Sequence, residues 1–162
     1  MITLLRILAF LPALLLAGCT MSSPTITQDQ ATMRVEQLIR DTAAALTPKP
    51  RLELITHGTG PAACTHENDS PGRISVNRAY WLRDIPKAAN PDIARQVRAH
   101  WEAQGHRIVS TGGLDVGHPS IGGESRPDGF ILALTWVAGD NLYLASTSTC
   151  VWPSGTSEQP AR

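Results

Sequence analysis

Hydrophobic residues recur every three or four positions near the start of the polar part of the chain. The positions on this stripe are Ala31, Val35, Leu38, Ile39, Thr42 and Leu46. Such spacing predicts an amphipathic helix over Gln28–Leu46. Thr27 and Gln30 form a capping-box pattern at its start, and Pro48 stops it. Because its polar face is not strongly basic, we expect it to pack on a protein core, although packing on a bilayer remains an alternative.

A second helix is predicted from Asn90 to the residues before Gly105. Ile93, Val97 and Trp101 repeat every four positions and so share one face. We expect Asn90 to cap the helix and Pro91 to occupy its first turn. Gly105 follows at a position that tolerates positive φ, which ends the helix.

Alternating or continuous apolar patterns predict five strands. The pattern over Arg73–Asp84 alternates, whereas Phe130–Ala138 is apolar on both faces and should lie centrally in the sheet. The last two strands are separated by Gly139-Asp140-Asn141, a hairpin-turn sequence. The five predicted ranges are Arg51–His57, Arg73–Asp84, His106–Thr111, Phe130–Ala138 and Leu142–Cys150.

The segments Gly58–Gly72 and Gly112–Gly129 are rich in glycine and proline, and we expect both to be loops. The order of elements is then α-β-β-α-β-β-β. It predicts an α+β fold, with one mainly antiparallel sheet of about five strands and two helices on one face. We expect a single domain over residues 28–153 and a disordered polar tail over 154–162.

The first residues of the chain have the pattern of an exported protein. Arg6 precedes the apolar run Ile7–Leu15, and small residues then precede Cys19. This is typical of a secretory signal peptide; the apolar run is too short to span a bilayer and contains Pro12. Leu16-Ala17-Gly18-Cys19 resembles the lipobox of bacterial lipoproteins.

The lipobox resemblance implies where the protein works. In that family the cysteine thiol receives a diacylglycerol and the chain is cut directly before it. Residues 1–18 would therefore be removed, Cys19 would be the lipidated first residue, and residues 19–27 would form a flexible tether. The implied location is the cell membrane, with the domain facing the extracytoplasmic side.

The whole chain is also similar to the small uncharacterised lipoproteins of mycobacteria and related actinobacteria. The features that carry this resemblance are the lipobox, the helix that ends at Trp101 and Gly105, and the terminal Thr149-Cys150-Val151-Trp152. The resemblance implies an envelope location and supplies no catalytic residues.

The chain has three cysteines, and two remain if Cys19 carries lipid. An even pair in an exported domain predicts a disulfide between Cys64 and Cys150. Two free thiols or a redox pair are the alternatives. Catalytic redox pairs usually have C-x-x-C spacing, which is absent here, so the structural disulfide is the favoured interpretation.

The charge pattern excludes some partners. Loss of Arg6 with the leader leaves 13 Lys and Arg against 14 Asp and Glu, a formal charge of −1. We therefore expect no nucleic-acid partner and no polybasic attraction to lipid headgroups. Membrane association is expected through the lipid on Cys19 alone.

Catalytic and metal-binding motifs are not evident. The sequence around Ser125 lacks the G-x-S-x-G pattern, and no close histidine pair has the spacing of a zinc site. We predict no metal and no cofactor. The residues that an envelope hydrolase or metal protein would most plausibly use are His66, Glu67 and His118.

Trp81 and Arg83 are the candidate ligand-binding residues. They alternate with Tyr80 and Leu82, so they should lie on the opposite face of their strand. On an open face they would stack on a sugar or a peptide; packing beneath a loop is the alternative. The leading hypothesis is a non-enzymatic binding domain for an envelope protein or a small molecule. A hydrolase or metal-binding protein and a lipid or glycolipid carrier are the alternatives.

Overall fold

The computed structural model describes residues 25–65, 71–139 and 141–157. The predicted α+β class is confirmed: the described residues form two α-helices and one antiparallel sheet. The sheet has seven strands rather than about five. They are β1 Arg51–Leu54, β2 Gly60–Ala63, β3 Ile74–Arg83, β4 Arg107–Gly112, β5 Ser120–Glu124, β6 Ile131–Val137 and β7 Asn141–Thr147.

The strands lie in the order β1-β3-β7-β6-β5-β4, and β2 pairs with β3 beside β1. The long strand β3 thus has β1 along its second half, β2 along its first half and β7 on its other edge. The predicted hairpin between the last two strands is confirmed, with Val137 paired to Asn141. β6 lies between two neighbours, as its apolar sequence predicted.

Both helices cover the same face of the sheet. Helix α1, Gln28–Ala44, packs on β3 and β7, and helix α2, Asn90–Ala103, packs on β4 and β5. The predicted capping box is present: Thr27 accepts from the Gln30 backbone, and Gln30 accepts from the Thr27 backbone. The core is one cluster whose fully buried members include Val35, Ile93, Trp101, Ile121, Phe130, Leu134 and Leu144.

The start of α2 differs from the prediction. A 3-10 turn, Lys87–Ala89, leads directly into the helix, so Asn90 already has helical angles and the N-cap position falls to Ala89, which makes no side-chain capping hydrogen bond. Asn90 is instead buried. Pro91 lies in the first turn as expected, and Gly105 follows the helix at φ +76°.

Two strands lie inside segments that were predicted to be loops. β2 is built from Gly60-Pro61-Ala62-Ala63, which carries no hydrophobic alternation. β5 contains Gly122 and Gly123, and their role is close packing rather than flexibility. A Cβ on Gly123 would lie 3.0 Å from the Trp101 ring, so glycine is what allows α2 to approach the sheet.

The two ends of the described chain meet. The Thr25 backbone N–H donates to Gly155 at 2.8 Å, and Thr25 Oγ1 accepts from the Trp152 backbone N–H at 2.8 Å. The first described residues of the predicted tail, 154–157, thus lie beside the last residues of the predicted tether. Across the described ranges, neither helix has the length and apolarity needed to cross a membrane.

Candidate functional site

The predicted disulfide is present. Cys64 and Cys150 are bonded, and the link spans 86 positions of sequence. Cys64 follows β2, and Cys150 precedes Val151, which bridges to Ile74 at the start of β3. The bond therefore ties the C-terminal segment to the edge of the sheet. Cys19 and the whole lipobox lie outside the described residues.

Trp81 lies on the sheet face opposite the helices, as its alternation with Tyr80 predicted. Across the sheet it pairs with Tyr143, and Tyr143 pairs in turn with Thr135. Directly opposed residues share a face, so these side chains form one row on the helix-free face. The Trp81 and Tyr143 rings meet edge to face, with centroids 5.8 Å apart.

Arg83 is close to Trp81 and is itself held in place. Its guanidinium carbon lies 5.1 Å from the centre of the Trp81 ring, within cation–π range. It also donates to Glu53 at 2.9 Å and to Asn141 at 3.1 Å. The hydrogen bond from Arg83 holds the pKa of Glu53 below its usual value. We call Glu53, Trp81, Arg83, Asn141 and Tyr143 the aromatic cluster.

The structure also forms a polar cavity of about 270 Å³ on the helix side of the sheet. It lies between α1, the end of α2 and the turn after β5, and only Leu38 among its nine lining residues is apolar. Its charged and titratable residues are Arg34, Asp41, His100, His106 and Arg126. Sequence reasoning missed this cavity, because its residues come from three separate elements with no shared motif.

The turn behind this cavity contains Ser125 and Asp128, and His106 lies beside it, so the residue types of a hydrolytic triad are present. Ser125 Oγ donates to Asp128 at 2.9 Å, and His106 Nδ1 accepts from the Arg126 backbone at 3.1 Å. Ser125 is fully buried and also accepts from the Phe130 backbone at 2.9 Å. These hydrogen bonds stabilise the conformation of the turn. They do not pair a nucleophile with a base, as acyl transfer requires.

Asp128 binds Arg34 on its other side. Arg34 Nε lies 2.6 Å from Asp128 Oδ2, which links α1 to the turn after β5. Burial alone would raise the pKa of Asp128, but the hydrogen bonds from Arg34 and Ser125 outweigh it and hold the pKa below its usual value. Burial, followed by the nearby Arg34 charge, lowers the pKa of His106.

Of the three residues suggested for a hydrolase or metal site, His118 is the one that lies within the described ranges. His66 and Glu67 lie outside the described residues. His118 stacks on Trp136, with ring centroids 3.8 Å apart. Within the ranges that the structure describes, no three His, Cys, Asp or Glu side chains are grouped as a metal site would need.

A second cavity, of about 460 Å³, lies beside the disulfide on the helix-free side. Ser75, Ile131, Thr147 and both bonded cysteines contribute to its wall. The wall mixes backbone, hydroxyl and aliphatic groups and does not form the large apolar chamber that a glycolipid carrier would use.

Comparison with known proteins leaves the chain without a match: no family model, no curated protein and no solved structure is similar to it at a significant level.

Proposed function

We propose that this protein is a lipid-anchored, extracytoplasmic binding domain, held to the cell membrane by a lipid on Cys19. The observation that carries the proposal is the bond between Cys64 and Cys150. It uses both cysteines outside the Leu-Ala-Gly-Cys motif, and such bonds persist in oxidising compartments. Cys19 is then the single cysteine left for acylation, and two or more acyl chains anchor a protein stably.

The contacts of Thr25 favour one orientation of the domain at the membrane. Thr25 follows Cys19 by six residues, a span of about 20 Å when extended. It is bonded to Trp152 and Gly155, close to the bridge between Val151 and Ile74. An anchor on Cys19 would therefore keep the start of β3 near the bilayer.

The aromatic cluster lies toward the other end of β3. Trp81 is seven residues after Ile74, about 23 Å along the strand. The partner strand β7 runs in the opposite direction, so Asn141 and Tyr143 lie at this same end. In the proposed orientation the cluster faces away from the membrane, where a ligand can reach it.

We propose a neutral oligosaccharide as the ligand of the aromatic cluster. The half-buried Trp81 ring offers a stacking surface, with a guanidinium, a carboxylate and an amide beside it. Within the described ranges, the charges beside the cluster are paired, Arg83 with Glu53 and Arg51 with Asp84. Paired charges favour a neutral, hydroxyl-rich ligand over a polyanion.

The anchor is tested by replacing Cys19 with serine. We expect Cys19→Ser to abolish lipid attachment in intact-mass measurements and to release the protein from the membrane fraction. The Cys64–Cys150 bond should still form, because neither of its cysteines is changed. Unaltered mass and fractionation would contradict the proposed anchor.

The ligand is tested by tryptophan fluorescence of the mature protein with a panel of neutral oligosaccharides. Trp81→Ala should weaken binding at least tenfold, the loss expected for about 1.4 kcal/mol of contact energy. Trp136→Phe is the matched control, because Trp136 lies on the other face. Binding of extended peptides but no oligosaccharide, or equal affinity in both variants, would refute the assignment.

A further inference from the structure

The polar cavity on the helix side has features of a second binding site, independent of the aromatic cluster. Three elements contribute to it: α1 through Arg34 and Gln37, the end of α2 through His100, and the segment around β4 and β5 through His106 and Arg126. With one apolar residue in its lining, the cavity is unsuited to a hydrocarbon chain. Its lining suits a polar ligand that forms hydrogen bonds with these side chains.

The guanidinium groups of Arg34 and Arg126 both contact neighbouring side chains. Arg34 uses Nε for Asp128 at 2.6 Å and Nη1 for Gln37 Oε1 at 3.2 Å. Arg126 uses Nη2 for Glu124 Oε1 at 3.3 Å. A guanidinium has five N–H donors, so these bonds leave several N–H groups of each arginine for another acceptor. Arg34 is thereby oriented before any ligand arrives, whereas the more exposed Arg126 is held by one ion pair among the described residues.

The other polar groups add donors. Gln37 Oε1 accepts from Arg34, which leaves its amide NH₂ as the outward group. His106 Nδ1 accepts from the Arg126 backbone N–H, so the neutral ring carries its proton on Nε2 and donates there. The charged and titratable groups that face His106 are Arg34, His100 and Asp128. Asp41 contributes the one carboxylate of the lining.

We propose that this cavity binds the carboxylate group of a small organic acid, with Arg34, Arg126 and His106 as donors. A planar carboxylate suits guanidinium forks, which form paired hydrogen bonds with it. Asp128 pairs with Arg34, but Glu124 is shared between Arg107 and Arg126, so the charge of Arg126 is only partly neutralised. Asp41 in the lining keeps the positive charge of the cavity small. A monoanion is therefore favoured over a phosphate dianion.

The probe for this site is acetate, added to the mature protein in detergent micelles at constant ionic strength. The readout is the NMR titration of the His106 ring. A bound negative charge beside the ring favours its protonated form, so acetate should raise the pKa of His106 by about 1 unit. The ring resonances of His57, at the opposite edge of the sheet, report general salt effects.

Arg126→Gln should weaken acetate binding about tenfold, since a hydrogen bond to a charged group is lost. Arg95→Gln is the matched control: Arg95 is an exposed arginine of α2 outside the cavity, paired with Asp92. It should bind acetate like the unmodified protein. Three results would each overturn the proposal. They are equal acetate affinities in the two variants, the same His106 response to chloride as to acetate, and tighter binding of inorganic phosphate than of acetate.

Discussion

Asp128 shows how one residue can hold two elements together. Its carboxylate accepts from Arg34 of α1 and from Ser125 of the turn after β5. Ser125 Oγ in turn accepts from the Phe130 backbone at the start of β6. The side chain is mostly buried, with 23 % exposed, so this ion pair is less screened than those on the surface.

The lowered pKa of Asp128 predicts a loss of stability in acid. Its ordinary value is 3.8, and the folded value lies below this. The unfolded chain therefore takes up the proton first as the pH falls, which favours unfolding. The contribution is fully present above about pH 4 and is lost as the pH falls through the folded pKa.

Asp128→Asn should remove this contribution, so the free energy of unfolding should fall less steeply as the pH falls into the acid range. The measurement is urea unfolding of the protein from neutral pH into the acid range. Asp92→Asn is the control, because Asp92 is an exposed residue that pairs with its helix neighbours Arg95 and Gln96. An acid limb with equal slope in both variants would exclude Asp128 as its source.

At the scale of elements, the contact between the two helices depends on a buried hydrogen bond. Trp101 Nε1 of α2 donates to Thr42 Oγ1 of α1 at 2.9 Å, and Thr42 donates to Leu38 at 2.7 Å. Trp101 is 2 % exposed and also lies against Gly123 of β5. One indole ring thus fixes α1, α2 and the sheet relative to one another.

Trp101→Phe should lower the free energy of unfolding by about 2–3 kcal/mol. The variant loses the buried hydrogen bond and leaves space where the larger ring was. Urea unfolding measures the loss. Trp136→Phe removes a buried indole N–H that has no hydrogen-bond partner among the described residues, so it should cost less than about 1 kcal/mol. Equal losses would mean that the bond to Thr42 contributes nothing.

At the scale of the whole molecule, the disulfide closes most of the domain into one loop. The two cysteines are separated by 86 positions, and the chain-entropy relation gives about 4.6 kcal/mol as an upper value for such a loop. Thr25, Trp152 and Gly155 add hydrogen bonds near the same end of the sheet. The bond therefore stabilises the region where the chain enters and leaves the domain.

Reduction of the disulfide should lower the free energy of unfolding by about 2–4 kcal/mol, measured by urea unfolding with and without a thiol reductant. The reason is the greater conformational freedom of the opened unfolded chain. The double variant Cys64→Ala, Cys150→Ala should show the same lower stability and no response to reductant. An unchanged unfolding midpoint on reduction would contradict this prediction.

The sequence by itself determined the elements whose signals are local. Four features follow from residue types and spacing. They are the helix periods, the Thr27 capping box, the alternation that puts Trp81 opposite Tyr80, and the pairing of Cys64 with Cys150. Neighbouring residues carry the information in the first three cases. In the fourth, only two cysteines were left to pair once Cys19 was set aside.

Some strands and polar groups depend on partners that are distant in sequence, and their positions were decided only by the tertiary structure. β2 and β5 consist mainly of small residues, and they form because β3 and β4 offer them backbone partners. Gly123 is a packing residue because Trp101 comes from another element. The cavity beside Arg34 and His106 likewise arises from three elements that meet only in the folded chain, and no local pattern encodes that meeting.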